Sequence, residues 1–489
     1  MSAAWCATAT AAPLLLLLAF DAPSSVSAQL RVLSPPTLVD QLPSLGRIEG
    51  STATFGAPFY GDRVMGRLVY STPFELKAPH CKDDYELPDP KTLPGASDDR
   101  SSSLINLVLV KRGGCSFTTK VSMAAKKGAH AVIIADKDDS DITAETIHNI
   151  VVADDGYGAN IKIPSVLVDK VVGNKLIQAC GRMQSVIVEL AWDLPANRVV
   201  QLDMWMSAAS IQSNQFLKSF APFRRKLNRV VNFKPHYDVF SLDEADPRTY
   251  NGLCFDQQGK FCTEDPDATG PITGKDVLEE DVRQLCLHEA QKEQLTSPED
   301  LAKGLPGVLF SRKYWYYVER FAEKCPLDAP NAQDRFGYEC SRKLMTEAGA
   351  DLRLVDDCVR VNTTRILEDQ VAHRAWSPRA MRINGWRYSG IMDAELVVRA
   401  VCSAFTTKPW ECSELIKPRD PTQPYVPAPA AGISFGELLL WIMIVLAAMA
   451  GAFQVYKTVL KRELQKTLRE EVMLEVQQQM GEYQKLTGR

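Results

Sequence analysis

Residues 104–136, which decide the fold of this chain, read LINLVLVKRGGCSFTTKVSMAAKKGAHAVIIAD. Residues 104–110 and 131–135 are continuous apolar runs of the length expected for buried strands. Between them lies a Gly-Gly turn, followed by a segment with helical periodicity that Ser116 or Thr118 caps. The order strand, helix, strand predicts a right-handed βαβ unit, with the RGGCSF turn at the carboxyl end of its first strand.

The length and composition set broad limits on what the chain can be. Its 489 residues predict several domains, about two to four at ordinary domain size. The hydrophobic fraction of 45% is enough to build sizeable cores. A net charge of -4, with no basic run of the kind that follows a phosphate backbone, argues against a nucleic-acid partner.

Two apolar segments predict the membrane topology. The first, APLLLLLAF followed by SVSA, predicts a signal peptide over residues 1–28. The second predicts a transmembrane helix over residues 435–456, because its 438–456 stretch spans roughly 28 Å as a helix. Basic residues follow this helix, whereas few precede it, so the positive-inside rule places residues 457–489 in the cytosol. The chain is therefore predicted to be a single-pass type I membrane protein.

Cysteine usage agrees with an oxidising lumen. The chain has 12 cysteines; one, Cys6, lies in the signal peptide, and none lies in the predicted cytosolic tail. The odd number that remains leaves at least one unpaired or bonded between chains, and the partner of Cys180 stays open. Asn362 begins an NTT sequon, which is compatible with glycosylation in the same compartment.

Three stretches carry a first resemblance, namely residues 55–70 (FGAPFYGDRVMGRLVY), residues 104–136 and residues 163–176 (IPSVLVDKVVGNKL). In this order they resemble a protease-associated domain, which we place at residues 30–195. The resemblance implies a fold without catalytic groups that serves as a lid or as a peptide-binding module.

Residues 199–414 are predicted to form a second lumenal domain. VVQLDMWMS, NQFLKSFAPFRRKL and KPHYDVF follow one another as strand, helix and strand, and WSPRAMRINGWRYSG later supplies a hairpin with Asn-Gly at its turn. This order is similar to a thioredoxin-type frame, with Pro378 at the place of that fold's cis proline. A Cys-rich helical insertion, residues 254–358, separates the two halves.

The insertion narrows the resemblance to one family. Its segments CFDQQGKFCTEDPD, GKDVLEEDVRQLCLHEA, YWYYVERFAEKCP and YECSRKLMTEAG, with VCSAFTTKPWEC after them, resemble the central region of the vacuolar sorting receptors. The implied fold class is α/β and α+β multidomain: a protease-associated domain, a thioredoxin-like domain with a disulfide-rich helical insertion, and one transmembrane helix. Two features depart from the family. A Pro-rich linker, residues 415–432, replaces its epidermal-growth-factor-like repeats, and MSAASIQ stands where it has a cysteine pair.

The resemblance also implies the functional residues. In the family, the loop that corresponds to RGGCSF contacts the sorting peptide of the cargo. By position, the cargo-binding residues here are Arg112, Gly113, Gly114, Cys115, Ser116 and Phe117. Gly114 replaces an acidic residue found in many relatives, so the cargo preference is expected to differ. Cys115 is expected to pair with Cys81 and so to pin the loop.

The remaining lumenal cysteines are expected to form four further bridges, whose connectivity the sequence leaves open. They are Cys254, Cys262, Cys286, Cys325, Cys340, Cys358, Cys402 and Cys412.

Enzymatic and metal-binding patterns are weak throughout the chain. A thiol oxidoreductase usually needs Cys-x-x-Cys, which occurs nowhere here. GISFG matches a hydrolase motif, but its Ser434 follows no strand, and His288-Glu289 lacks the second histidine of a zinc protease. Residues 265–276 have calcium-loop spacing but contain two prolines and lack the terminal Glu. We predict no catalytic residue, no metal and no cofactor.

The tail is predicted to be helical up to Gly481, leaving EYQKL extended. Tyr483 and Leu486 then form a Tyr-x-x-bulky-apolar signal of the kind that clathrin adaptor complexes bind in extended form. The sequence thus predicts a receptor of the Golgi, trans-Golgi network and endosomal or prevacuolar membranes that carries soluble cargo proteins to a vacuole or lysosome. The alternatives are a membrane-anchored thiol oxidoreductase or chaperone, and a protease accessory subunit.

Overall fold

The computed structural model of the chain describes residues 28–83, 85–87, 104–182, 185–246, 248, 250, 252–304, 306–427 and 435–487. The predicted signal peptide lies outside these residues apart from Ala28. The chain divides into two compact units, Met1–Val426 and Pro427–Arg489. The predicted fold class, a protease-associated domain followed by a thioredoxin-like domain, is confirmed in the first unit.

The first domain is a closed barrel with the strand order β1-β2-β6-β5-β4-β3-β7. Its strands are β1 (Ala28–Ser34), β2 (Arg47–Thr52), β3 (Arg63–Tyr70), β4 (Ile105–Lys111), β5 (Ala131–Ala135), β6 (Ser165–Val168) and β7 (Val186–Ala191). The helices of this domain are α1 (Pro36–Val39), α2 (Phe117–Lys126) and α3 (Lys170–Gly181). Strands β3 to β6 are joined in parallel, whereas the other neighbours are antiparallel.

The predicted βαβ unit is β4-α2-β5. The two strands pair in parallel, with Leu107 opposite Ala131. Ser116 caps α2, because its hydroxyl accepts a hydrogen bond from the backbone N–H of Thr119 at 3.3 Å. The inner face of α2 carries Val121, which is fully buried against the sheet. The right-handed crossover therefore delivers the RGGCSF turn to the carboxyl end of β4.

The second domain contains a four-stranded sheet with the order β13-β12-β8-β9. Its strands are β8 (Val200–Met206), β9 (Val231–Tyr237), β12 (Ala380–Ile383) and β13 (Trp386–Arg387), flanked by the helices α4 (Ile211–Lys226), α10 (Ala394–Ser403) and α11 (Trp410–Leu415). β8 and β9 are parallel, and β12 is antiparallel to β8. The hairpin turn has left-handed backbone at Asn384 and Gly385, as an Asn-Gly turn requires.

One detail of the thioredoxin-like expectation is wrong. Pro378 does precede β12, but the peptide bond before it is not cis, since Ser34–Pro35 is the one cis bond in the described part of the chain.

The Cys-rich insertion is helical, as predicted. It contains α5 (Gly274–Ala290), α6 (Pro298–Ala302), α7 (Arg312–Lys324), α8 (Tyr338–Glu347) and α9 (Leu352–Ala372), with the short strands β10 (Glu293–Gln294) and β11 (Leu309–Phe310). The predicted cysteines of this domain form four disulfides: Cys254–Cys262, Cys286–Cys358, Cys325–Cys340 and Cys402–Cys412. Cys286–Cys358 joins α5 to α9 across 72 residues of sequence, so it closes the largest loop of the four.

A guanidinium joins the barrel to the thioredoxin-like sheet. The Nη2 atom of Arg387, in β13, donates to the Ser51 hydroxyl at 3.0 Å, to the Ile150 carbonyl at 3.2 Å and to the His148 carbonyl at 3.3 Å. Burial lowers the pKa of Arg387. A partly desolvated cation held by three acceptors of the other domain fixes the two domains against each other.

The residues that follow Arg387 continue this contact through the backbone. The N–H of Gly390 donates to the Ala53 carbonyl at 3.0 Å, and the N–H of Ile391 donates to the Gly56 carbonyl at 2.8 Å. We call residues 387–391 the hook segment. Because its backbone groups are paired with the barrel, the interface does not depend on side-chain packing alone.

The first part of the predicted linker is packed against both domains. In residues 417–426, here called the strap, the Arg419 guanidinium lies 3.8 Å from the ring centre of Phe59. The hydroxyl of Tyr425 donates to Asp393 at 2.5 Å, and Tyr425 is buried. This part of the chain is therefore an ordered element of the lumenal unit, and not a free spacer.

The second unit contains one long helix, α12 (Phe435–Thr487). Within it, Leu439–Gly481 is long and apolar enough to include a membrane span. The prediction that Gly481 ends the helix is wrong, since α12 continues through Gly481 to Thr487. Glycine lowers helix propensity by only about 1 kcal/mol, which neighbouring helix formers can offset.

Replacing Arg387 tests the domain interface. Arg387→Ala should lower the free energy of unfolding by about 2 kcal/mol, because hydrogen bonds to a charged group are lost across the interface. Chemical denaturation of the full-length chain in detergent is the measurement. Arg229→Ala, at an exposed arginine that forms no ion pair with a described residue, is the control. Equal stability of both variants would contradict the clamping role of Arg387.

Candidate functional site

The predicted cargo loop lies between β4 and α2 and reverses the chain within two glycines. Gly113 has φ +122° and Gly114 has φ +78°, both in the left-handed region that L side chains rarely adopt. A Cβ on Gly114 would lie 2.4 Å from the Cα of Ala78, whereas a Cβ on Gly113 would meet nothing within 4 Å. A side chain at the position of Gly114 therefore has no room in this loop as it stands.

A disulfide holds the loop from its side. Cys115 is bonded to Cys81 with an S–S distance of 2.10 Å, as the sequence predicted. This bond connects the start of α2 to the segment that follows β3. Beside it, His80 accepts a hydrogen bond from the N–H of Lys111 at its Nδ1 atom, and its Nε2 atom therefore donates to the Ser71 carbonyl at 2.9 Å.

A buried lysine holds the same loop from below. Lys120 has no exposed surface, and its ammonium group donates to the carbonyl of Gly113 at 2.6 Å and to the carbonyl of Pro79. It also lies 3.4 Å from the sulfur of Cys81. Desolvation lowers the pKa of Lys120 to about 8, so the group is mostly charged below that pH. The cation thus connects the two segments that the disulfide joins covalently.

Sequence reasoning missed Lys120. The signal was a lysine one position before the buried Val121, on the side of α2 that faces the core. A lysine at such a position predicts either a snorkelling side chain or a buried ion. The pattern does not say which carbonyls it binds, because one of them, that of Pro79, lies 41 residues away in sequence.

The guanidinium group of Arg112 is hydrogen-bonded to the described part of the chain through one of its nitrogens only. Its Nη1 atom donates to Asp136 at 2.9 Å, and Asp136 is completely buried at the end of β5. The other guanidinium nitrogens donate to no residue in the described ranges. The guanidinium carbon lies 5.3 Å from the ring centre of Phe117, and the side chain keeps 28% of its surface exposed. This geometry presents a planar donor pair beside an aromatic ring.

The N-terminus of α2 is occupied by a neighbouring acid. Asp155 accepts a hydrogen bond from the hydroxyl of Thr118 at 2.6 Å. Hydrogen bonds from Ser116 and Thr118 lower the pKa of Asp155, so it remains ionised in mildly acidic solution. An anion that approached the first turn of α2 would therefore meet the carboxylate of Asp155.

The enzyme-like patterns do not assemble into a site. Ser207 and Ser210 flank the start of α4 in place of cysteines, and Ser434 lies outside the described residues. Burial lowers the pKa of His288 to about 4, which keeps this core histidine neutral. No cluster of three metal-ligating side chains occurs among the described residues.

The calcium-like segment uses its carboxylates internally. Asp265 and Asp267 accept hydrogen bonds from backbone N–H groups of their own turn. Asp276 forms a capping box with Thr273 at the start of α5. These carboxylates act as caps and turn acceptors within the segment.

The remaining predicted residues lie apart from the loop. Asn362 is half-buried on α9, and Tyr483 and Leu486 lie in the last turns of α12. The expected extended conformation of the tail signal is therefore not observed. Three residues apart on a helix, the two positions share one face.

Comparison with known proteins supports the assignment of both domains. The family description "Vacuolar sorting receptor thioredoxin-like domain" matches residues 200–402, and the PA domain matches residues 64–176. Vacuolar-sorting receptor 2 of Arabidopsis thaliana is 27% identical over 414 residues, which cover 78% of this chain and 60% of the relative. Vacuolar-sorting receptor 1 of Pisum sativum is 27% identical over 398 residues, covering 75% and 59%. The predicted resemblance to vacuolar sorting receptors is confirmed.

The chain spans about 60% of the length of these curated relatives. Among solved structures, an aminopeptidase from Aneurinibacillus sp. strain AM-1 is 20% identical and covers 34% of this chain and 31% of its own. Its TM-score of 0.21 is too low to indicate a shared fold.

The two glycines of the loop provide a matched test of its geometry. Gly114→Ala should cost about 2 kcal/mol more stability than Gly113→Ala, because both strain φ but only Gly114→Ala also meets Ala78. Thermal unfolding of the full-length variants measures the difference. Equal losses would show that Ala78 moves aside without cost and would contradict a rigid loop.

Proposed function

We propose that the chain is a single-pass sorting receptor that binds soluble vacuolar or lysosomal cargo proteins through the RGGCSF loop, Arg112 to Phe117. The observation that carries the proposal is the half-engaged guanidinium of Arg112. Asp136 binds one nitrogen, while the others have no partner among the described residues and the side chain stays partly exposed beside Phe117. A carboxylate or peptide carbonyl of a cargo sorting peptide fits these donors.

The rigidity of the loop favours a binding role. A disulfide, a buried ammonium and two left-handed glycines hold the backbone before any ligand arrives. A loop ordered in advance loses less conformational entropy when a peptide binds to it. The relatives named as vacuolar-sorting receptors support the same role, although the chain covers about 60% of their length.

An oxidoreductase is a poorer fit to the described residues. Cys180 is the only free cysteine among them, and burial raises its pKa to about 12. A thiol with so high a pKa is a weak nucleophile at lumenal pH. Insulin reduction by the full-length chain above background would support the oxidoreductase and contradict the receptor.

A protease accessory subunit is the other candidate. The first domain resembles the protease-associated domain, which can also serve as a lid over the active site of a protease. Affinity capture on the full-length chain separates it from the receptor. Several soluble proteins that share one short peptide support the receptor. One protease retained at equal stoichiometry supports the accessory subunit.

The proposed location follows from the topology. Five disulfides in the first unit are typical of an oxidising lumen, and α12 is long and apolar enough to provide a span. We place the protein in the Golgi, trans-Golgi network and endosomal or prevacuolar membranes. Clathrin adaptor complexes would bind Tyr483 and Leu486 after the end of α12 unwinds, since helix ends open at little cost.

Arg112→Lys tests the loop without removing the cation that Asp136 requires. Lysine keeps the charge but loses the fork of donors, so affinity for a peptide shared by captured cargo should fall about tenfold. Calorimetry on the full-length chain is the measurement, and the melting temperature should change little. Arg31→Lys, at an exposed arginine on β1, is the control. Unchanged affinity in Arg112→Lys would contradict the loop assignment.

Tyr483→Ala tests the tail signal. The variant should accumulate at the cell surface or in the vacuole, because adaptors no longer retrieve it. Fluorescence microscopy of tagged full-length protein is the measurement, with the adjacent Gln484→Ala as control. A wild-type distribution of the Tyr483→Ala variant would refute the signal.

A further inference from the structure

A second cleft lies between the barrel and the thioredoxin-like domain, away from the RGGCSF loop. Its volume is about 620 Å³. One wall is the barrel segment 151–159, and the other is formed by α4 and by residues 376–379 before β12. Clefts between domains with apolar walls and a few polar groups are the usual places for ligand binding.

The N-terminal turn of α4 supplies polar groups to this cleft. Ser213, on that turn, lines the cleft, yet its side chain is only 1% exposed. Its hydroxyl has no hydrogen-bond partner among the described residues. A buried hydroxyl without a partner costs free energy, which a ligand atom that bonds to it recovers.

Buried side chains fix the backbone that precedes α4. The N–H of Ala208 donates to Asp281 at 2.9 Å, and the carbonyl of Ala208 accepts from Asn214 at 2.8 Å. Ser210 then caps the helix through the N–H of Ser213. The first N–H groups of α4 are thus held in a fixed direction, with the partial positive charge of the helix end behind them.

One charged group at the cleft is available to a ligand. Three charged residues line it in the described structure: Asp154, Arg379 and Asp393. Asp154 accepts from the N–H groups of its own turn, and Asp393 caps α10 and binds Tyr425. Arg379 is exposed and forms no ion pair with a described residue. The oxygens of the two aspartates thus have donors within the protein, whereas the Arg379 guanidinium, which lines the cleft together with the first turn of α4, has no ion-pair partner among the described residues there.

The rest of the lining is apolar and suits a side chain next to an anion. The apolar lining includes Met204, Phe216, Trp376 and Met392. Phe216 and Met204 are almost fully buried, so they belong to the core of the domain and not to its mobile surface.

We propose that this cleft binds a peptide carboxylate with an apolar residue beside it. The carboxylate accepts hydrogen bonds from the Ser213 hydroxyl and from the N-terminus of α4, and it forms an ion pair with Arg379. The apolar side chain packs against Phe216. The site is separate from the RGGCSF loop and does not rest on the function proposed for that loop. The carboxylate can belong to a chain end or to an acidic side chain.

Three short probes distinguish these sources. They are acetyl-Gly-Ala-Leu-Phe with a free carboxylate, the same peptide as its C-terminal amide, and the amide of acetyl-Gly-Leu-Glu-Phe. Calorimetry uses the full-length chain in nanodiscs, with empty nanodiscs as the blank. At least one carboxylate peptide should bind about tenfold more tightly than the uncharged amide, as expected for a charge-assisted hydrogen bond. The carboxylate peptide that binds identifies the source.

Two variants test the residues of the cleft. Arg379→Gln should abolish the preference for the carboxylate peptide, whereas Arg229→Gln, beyond the other end of α4, should leave it unchanged. Ser213→Ala should weaken binding several-fold without lowering the melting temperature, because the hydroxyl has no partner in the free protein. The same titrations are repeated in an Arg112→Lys background, which weakens carboxylate binding at the RGGCSF loop, so that the preference removed by Arg379→Gln there belongs to the cleft. No binding, equal affinity for acid and amide, or a preference that survives Arg379→Gln would overturn the proposal.

Discussion

The pairing of the hook segment with the barrel is the constraint on which the rest of the lumenal unit depends. Arg387 donates to three acceptors of the barrel, and the backbone of Gly390 and Ile391 extends the contact. Because these bonds fix the barrel against the thioredoxin-like sheet, the cleft between them has a defined width. The strap closes the same interface where Arg419 covers Phe59. The strap adds bonds of its own, since Arg419 also donates to the carbonyls of Ala57 and Pro58 in the barrel.

Buried cations recur where backbone segments from distant parts of the chain must meet. Lys120 binds two carbonyls under the cargo loop, and Arg387 binds two carbonyls and a hydroxyl at the domain interface. Carbonyls carry only a partial charge, so they repay part of the desolvation cost of a cation, and the pKa of Lys120 falls accordingly. In return, each cation fixes the relative position of backbone segments, because one donor group binds several acceptors at once.

The sequence predicts what depends on local pattern. The unit β4-α2-β5, the Ser116 cap and the Asn384-Gly385 turn all follow from residue spacing, and the structure contains each of them. It does not predict contacts between distant segments. The partners of Lys120 and the docking of the strap depend on which surfaces the fold brings together. The prediction that α12 ends at Gly481 was wrong for another reason. One glycine is a weak stop signal inside a strongly helical run.

The two proposed sites share one structural element, the barrel segment 151–159. Asp155 in this segment binds Thr118 at the start of α2, beside the cargo loop, while its neighbour Asp154 lines the cleft at α4. A ligand that shifts the segment at one site changes the position of an acidic group at the other. Linkage requires any such effect on affinity to be equal in both directions. The thioredoxin-like domain would therefore influence binding at the barrel only if a ligand in the cleft moved this segment.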